Sequence, residues 1–357
     1  MTITQLKLID FRNQTEKTVI PESGVTVFTG PNGCGKTNLI EAMYTASVGK
    51  SFRTAQMDDL IRFGADEGAF FVDFTLRGQI HSIRGRLSRG RGIQFFMNET
   101  KIRRKDLLGT FRTVLFTPDA LMLIKGAPQD RRRFLDLEVS QVSPRYYEEI
   151  LRYNRAVAQR NAALRQAQIR GTRPDIDMWD MQIAQGAAYI VPKRLETVAR
   201  MNSLLPRMEA ALTGNAEVLT VKYAEAQGDG TAKDESWYLE RLAESRDEDA
   251  RLCRTSVGPH RDDLQFLLSG HDIARFGSQG QQRTAILSMK LAEMEFIKGE
   301  TGEYPVLLLD DIGSELDEKR RGALFDFLDS AGIQAFVTAA EYQSVGVGRE
   351  VRIKNEE

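Results

Sequence analysis

The stretch Gly30-Pro31-Asn32-Gly33-Cys34-Gly35-Lys36-Thr37 narrows the possible folds of this chain more than any other. It matches G-x-x-x-x-G-K-[ST] at every fixed position, the pattern of a loop that holds phosphate groups on its backbone amides. Such a loop needs a strand before it and a helix behind it. Gly24 to Thr29 reads as the strand and Asn38 to Tyr44 as the helix. The glycines let amides turn inward as an anion nest, and the helix start adds a positive dipole end. In this reading Lys36 lies between the β- and γ-phosphates of a nucleotide, and the Thr37 hydroxyl meets Mg²⁺. A chance match in a Gly-rich turn would not set strand, loop and helix in register.

The 357 residues allow two or three domains. No apolar run reaches membrane-spanning length, and Met1 to Lys17 lacks the apolar centre of a signal peptide, so a cytoplasmic protein is expected. Two cysteines, Cys34 and Cys253, give no disulfide framework, and His81, His260 and His271 have no metal-ligand spacing. Cys34 reads as a small residue filling a variable loop position.

The net charge of −1 is silent about nucleic acid, but its distribution is not. From Arg77 to Lys105 there are nine basic residues and one acid, Glu99, a local charge of +8. This is the footprint of a polyanion-binding face. Arg84, Arg86, Arg89, Arg91, Arg103 and Arg104 are its candidate DNA contacts, with Arg84 and Arg86 on one strand face. A solvated hairpin is the alternative. A second basic series, Arg152, Arg155, Arg160, Arg165 and Arg170, does not fall on one helical stripe and is the weaker face.

Taken in order, residues 1–118 are strand-rich, with antiparallel strands over 69–76, 79–87 and 92–97. Residues 119–250 turn helical, with long helices over 144–168 and 175–212, the second open to interruption at Pro192 and Pro206. They form a compact helical lobe too short for a coiled-coil arm. The α/β texture returns over 251–357. Ser278-Gln279-Gly280-Gln281 reads as a capping box, with Leu287, Leu291 and Met294 on one stripe behind it. Pro305 to Leu309 is a buried parallel strand ending in Asp310 and Asp311. A strand ending in acid supplies the Mg²⁺ partner of a phosphate loop, Asp310, and the next carboxylate, Asp311, is placed to polarise an attacking water.

These motifs resemble those of ABC-type ATPases. Phe276 to Gln282 resembles their signature loop, and Ser314-Glu315-Leu316-Asp317 their D-loop. The run Leu308 to Arg320 is similar to the RecF family of bacterial recombinational repair. So are Asp10-Phe11-Arg12-Asn13, Lys50-Ser51-Phe52-Arg53, Ile124 to Pro128 with Arg131 to Asp136, and Gly258 to Asp263. The resemblance covers nearly the whole chain. It implies an α/β, ABC-ATPase-like head with an antiparallel β subdomain and a helical second domain. It implies ATP-driven homodimerisation, each ATP lying between one subunit's phosphate loop and Ser278-Gln279-Gly280 of the other. Arg12 and Asn13 join Gly30 to Thr37 and Ser278 to Gln281 as implied nucleotide contacts, and Lys36 and Asp311 as catalytic ones. Also implied are binding to single-stranded, gapped or junction DNA, partnership with RecR and RecO, support of RecA loading, a role in SOS induction, and weak ATPase activity stimulated by DNA.

Two departures stand out. ABC-type enzymes carry glutamate where Asp311 stands, one methylene shorter, so slow turnover is expected. The strand expected over 333–338 leads into Thr338-Ala339-Ala340-Glu341 without their switch histidine. A transporter's nucleotide-binding subunit shares the phosphate loop and signature, but here 242 positions separate Lys36 from Ser278, filled by a basic block and a helical lobe. A structural clamp of the SMC kind stays compatible with Asp311.

Overall fold

The computed structural model describes residues 1–214, 217–311, 316–342, 345 and 347–354. Among them the strands are β1 (Thr2–Phe11), β2 (Gln14–Val19), β3 (Val25–Thr29), β4 (Glu67–Leu76), β5 (Gln79–Ser88), β6 (Gly92–Met97), β7 (Thr100–Ile102), β8 (Thr113–Phe116), β9 (Leu219–Ala224), β10 (Asp263–Leu268), β11 (His271–Asp272), β12 (Val306–Leu309), β13 (Ala335–Thr338) and β14 (Arg349–Arg352). The chain forms two compact units. One comprises Met1–Leu121, Arg207–Ala216 and Gln279–Glu357, and the other Met122–Pro206 and Glu217–Ser278. The lobe expected over 119–250 thus runs on to Ser278 and yields Arg207–Ala216 to the first unit. The reason is that β10 and β11, which lie in the stretch 251–357 expected for the head, pair with β9 of the lobe.

In the first unit, alternating apolar residues build a six-stranded antiparallel-paired sheet of order β2-β1-β4-β5-β6-β7. Its inner face carries Leu6, Leu8, Phe70, Val72, Phe74, Ile83, Leu87 and Phe95, all buried. Against it lies the helix Lys36–Val48, whose Leu39, Ile40, Met43 and Ala46 join the same core as Phe28 and Phe336 of the second sheet. Each of these leucine, isoleucine, methionine and phenylalanine side chains contributes roughly 1.5–3 kcal/mol by leaving water. Burial on so much of its surface explains why the helix has hardly any polar face. Gly49 ends it in the left-handed conformation, its N–H donating to Thr45 O.

The second sheet, β14-β3-β13-β12-β8, is parallel throughout. The strands β12 and β13 are buried along their whole length, as expected for parallel strands covered on both faces. Because they run the same way, the carboxyl ends of β3, β12 and β13 lie on one edge. That edge presents the phosphate loop, Asp310-Asp311 and Thr338 together, the usual ligand edge of such sheets.

The second unit is mainly helical, with helices Pro128–Val142, Pro144–Arg170, the lobe part of Asp177–Thr213, Glu235–Glu244 and Arg246–Leu252, and the small sheet β11-β10-β9. The helix Asp177–Thr213 passes through both Pro192 and Pro206 without a break. Two arginines are fully inside this unit. Arg160 donates to Asp180 and Asp249 at 2.6 Å each and to Thr255 at 3.1 Å. Arg194 donates to Asp136, the Tyr223 hydroxyl and Pro259 O. The Gly258 to Asp263 motif therefore serves the interior of the lobe. Burial pushes His260 down to about 4, so its neutral ring meets the Tyr153 hydroxyl at 2.5 Å. With Arg160 buried, the Arg152 to Arg170 series is not a continuous surface for phosphates.

Candidate functional site

Gly30 and Gly35 shape the loop because nothing larger fits. Gly30 has φ +144, and a Cβ there would stand 2.2 Å from Ile353 O. Gly35 has φ +98, and a Cβ would stand 2.4 Å from Gln14 Nε2. Both conformations belong to glycine. Gly35 is also the cap of the helix Lys36–Val48, and no side chain bonds to that helix start. With no acidic residue in its first turn, the positive end of the helix faces the loop without internal compensation.

The loop is held from beneath. Asn13 Nδ2 donates to Gly33 O at 2.6 Å and Gln14 Nε2 to Cys34 O at 3.0 Å. Asn38 Nδ2 donates to Asn13 Oδ1 at 2.6 Å. Cys34 is buried, in keeping with its reading as a filler. Arg12, at φ +57, donates through Nε and Nη2 to both oxygens of the buried Glu41, at 2.8 and 2.6 Å. Arg53 donates to Asn38 and Glu41 from the other side. Glu41 thus fixes two arginines that line the cleft. It escaped sequence reasoning because an acid inside a helix gives no sign that it is buried.

Opposite the loop, Thr37 Oγ1 and Thr338 Oγ1 both donate to Asp310 Oδ1, at 2.9 and 2.7 Å. The Asp311 N–H donates to Thr338 Oγ1 at 2.8 Å, and Asp311 takes φ +54. Thr338, at the end of the strand that carries no switch histidine, therefore ties the Asp310 carboxylate to the Asp311 backbone. An open cleft of about 830 Å³ runs along these residues. Its lining includes Arg12, Asn13, Asn32, Gly33, Gly35, Lys36, Thr37, Asp311 and Arg89, with Arg53 and Thr338 from two runs noted in the sequence, and with Asp58, Asp59 and Phe63, which carry no motif. Lys36 Nζ bends back on Gly30 O and Pro31 O at 2.7 and 3.0 Å. Those carbonyls occupy the donors that a phosphate would take.

Other candidate residues lie elsewhere. Gln279, Gly280 and Gln281 open the helix Gln279–Thr301, Ser278 precedes it, and none of the four lines the cleft. Ser314 and Glu315 of the D-loop motif lie outside the described residues. Arg86 forks onto Glu67 at 2.8 and 2.9 Å, holding that carboxyl below the usual range. Arg103 bonds Asp106, and Arg104 packs over Gly49 with long bonds to Val48 O. Arg89 joins the cleft, while Arg91 is exposed in the β5–β6 turn. The +8 block is thus partly neutralised by acids just outside its limits.

A phosphate loop on a parallel sheet, an acid pair at the next strand's end and an antiparallel sheet over the loop helix define an ATPase head of the ABC/SMC class. The chain belongs to the RecF/RecN/SMC N-terminal domain family, whose model matches residues 2–354, and within it to RecF. It is 37% identical over 351 residues to the DNA replication and repair protein RecF of Alkaliphilus oremlandii, covering 97% of this chain and 95% of that one. The RecF of Symbiobacterium thermophilum is 39% identical over 360 residues, covering 97% and 93%. The solved structure of the recombination mediator protein RecF-ATPrS in the RecFOR pathway superposes with TM-score 0.91 at 30% identity, over 99% of this chain and 96% of that chain. A Smc head bound to the C-winged helix domain of ScpA, at TM-score 0.58 and 15% identity, shares the fold.

Lys36→Ala should weaken ATP binding by about a hundredfold or more, since it removes a charged donor worth about 1.5–3 kcal/mol for each phosphate bond. Fold stability should hardly change, because the bonds it gives up, to Gly30 O and Pro31 O, are partly or fully open to water. Isothermal titration beside a melting curve checks both, and unchanged ATP affinity would remove Lys36 from the site.

Proposed function

We propose that this chain is an ATP-dependent DNA-binding protein of recombinational repair and replication restart, in which ATP joins two copies. The observation that supports this most is a site built by halves. The phosphate loop and Asp311 line one cleft, with Asp310 bonded to Thr37 and Thr338 of that lining, while Ser278 to Gln281 do not line it. A second copy can bring its Ser278-Gln279-Gly280 to the exposed γ-phosphate, where the start of its 23-residue helix offers N–H donors. Hydrolysis removes that acceptor, and the pair loses its differential affinity.

The residues present suit Mg²⁺. The Thr37 hydroxyl and Asp310 carboxylate meet at 2.9 Å, an oxygen-only pair of the kind this hard cation takes. When bound there, Mg²⁺ would neutralise charge on the phosphate oxygens. Asp311 would accept the proton of the water that attacks the γ-phosphorus as ADP leaves. With Asp in place of Glu, turnover is slow and hydrolysis acts as a switch. Single-stranded, gapped or junction DNA is the polyanion. RecO and RecR are the partners, with RecA loading and SOS induction as the outcome. The relatives named RecF and the solved RecF of the RecFOR pathway support this assignment.

Ser278→Arg places a bulky cation at the helix start and should abolish the ATP dimer while one copy still binds ATP with unchanged affinity. Light scattering with and without ATP, next to nucleotide titration, reads both. A variant that dimerises as the parent does would end the two-copy reading.

A further inference from the structure

Strand pairing places six side chains in one line across the solvent face of the six-stranded sheet. Thr18 on β2 faces Lys7 on β1, Lys7 faces Phe71 on β4, Phe71 faces Arg84 on β5, Arg84 faces Phe96 on β6, and Phe96 faces Lys101 on β7. Their neighbours along each strand, such as Phe70, Ile83 and Phe95, point the other way into the core. Cation and aromatic ring therefore alternate over five strands.

Arg84 is the centre of this row. Its guanidinium carbon lies 5.0 Å from the Phe71 ring centre and 6.0 Å from that of Phe96. Among the described residues it makes no ion pair, and its Nε, shielded from solvent, has no hydrogen-bond partner. Lys101 likewise has no carboxylate in reach, whereas Lys7 pairs with Glu16 at 2.6 Å. Arg86, in the next row, is already spent on Glu67. Charge without a counter-ion beside half-exposed rings is what a strand of nucleic acid with bases turned toward the sheet would complete. A duplex presents phosphates and groove edges to such a face and leaves the rings without a role.

We propose that this face is a platform for an unpaired nucleic-acid strand, its bases on Phe71 and Phe96 and its phosphates on Arg84 and Lys101. Phe71 and Phe96 are separated by two strand spacings, roughly 10 Å, with the planar guanidinium between them able to carry a base as well. The sheet's other face rests on the helix Lys36–Val48, so this platform and the phosphate loop lie on different surfaces of one rigid layer. The proposal rests on the DNA-binding function above and supplies its single-strand component. It also reduces the six arginines expected from the sequence to one, Arg84, and adds two phenylalanines.

The test is an anisotropy titration, with ATP, of a labelled oligodeoxythymidine, an abasic strand of equal length and a duplex. Replacing both rings, Phe71→Leu with Phe96→Leu, should weaken the oligodeoxythymidine by about fivefold to a hundredfold for each ring and leave the abasic strand and the duplex where they were. The pair Phe71→Tyr with Phe96→Tyr keeps the rings and should keep the affinity. Arg84→Ala should lower the slope of log affinity against log salt by about 1. Unaltered oligodeoxythymidine binding by the leucine pair, or equal losses on all three ligands, overturns the platform. Failure of the parent protein to bind any of the three overturns the DNA-binding function together with it.

Discussion

Asp311→Asn should hydrolyse ATP about 10² to 10⁴ times more slowly than the parent, the range that a positioned general base supplies. ATP binding and dimer formation should persist, so the ATP dimer on DNA becomes long-lived. Asp311 sits at φ +54, which few residues other than glycine, asparagine and aspartate adopt at low cost. Asparagine therefore keeps the backbone and the N–H bond to Thr338 Oγ1, changing only the carboxylate. Asp310, with its own bonds from Thr37 and Thr338, is undisturbed. Phosphate release measured beside light scattering separates the two properties. Hydrolysis at the parent rate would show that another group takes the proton.

Much of this site was legible because its motifs are local. A loop of fixed spacing and a strand ending in two acids each lie within about ten residues. The stripe Leu287, Leu291 and Met294 is buried as its spacing implies. What escaped was settled by partners distant in the chain. Gln14, which holds the loop, begins β2, whose Thr15, Glu16 and Thr18 hide its strand character under polar residues. Thr338 looks like an absence when compared with a histidine, yet its hydroxyl ties Asp310 to the Asp311 amide.

The same cause explains the misplaced features. Counting charge between Arg77 and Lys105 overlooked Glu67 and Asp106, which lie outside that window and claim Arg86 and Arg103. The prolines at 192 and 206 remove one donor each, but Val191 and Leu205 before them are buried, and packing keeps the helix whole. A helical-wheel reading of Arg160 could place it on a face but not reveal that Asp180 and Asp249 enclose it, because those acids come from two other helices.

Arg160→Ala should cost the lobe about 3–5 kcal/mol, the penalty for leaving a buried charge without its partner. Arg160 is 0% exposed, and Asp249 is equally enclosed. Asp180 keeps a second cation, since Arg246 Nη2 reaches it at 2.7 Å. Among the described residues Asp249 bonds no other cation, and its remaining donors are the Ser256 amide and the Ser245 hydroxyl. The loss therefore falls mainly on the segment from Ser245 to Ser256, which closes the lobe. Arg160→Lys should recover little, because one ammonium on a shorter stem cannot span two carboxylates on opposite sides. The chain's two tryptophans, Trp179 and Trp237, both lie in the lobe, so their fluorescence during urea unfolding reports this unit selectively. A displaced fluorescence midpoint, with ATP affinity of the head unchanged, is the expected result. A midpoint within error of the parent would mean that Asp249 finds another partner or water, and that the enclosed triad does not hold the lobe together.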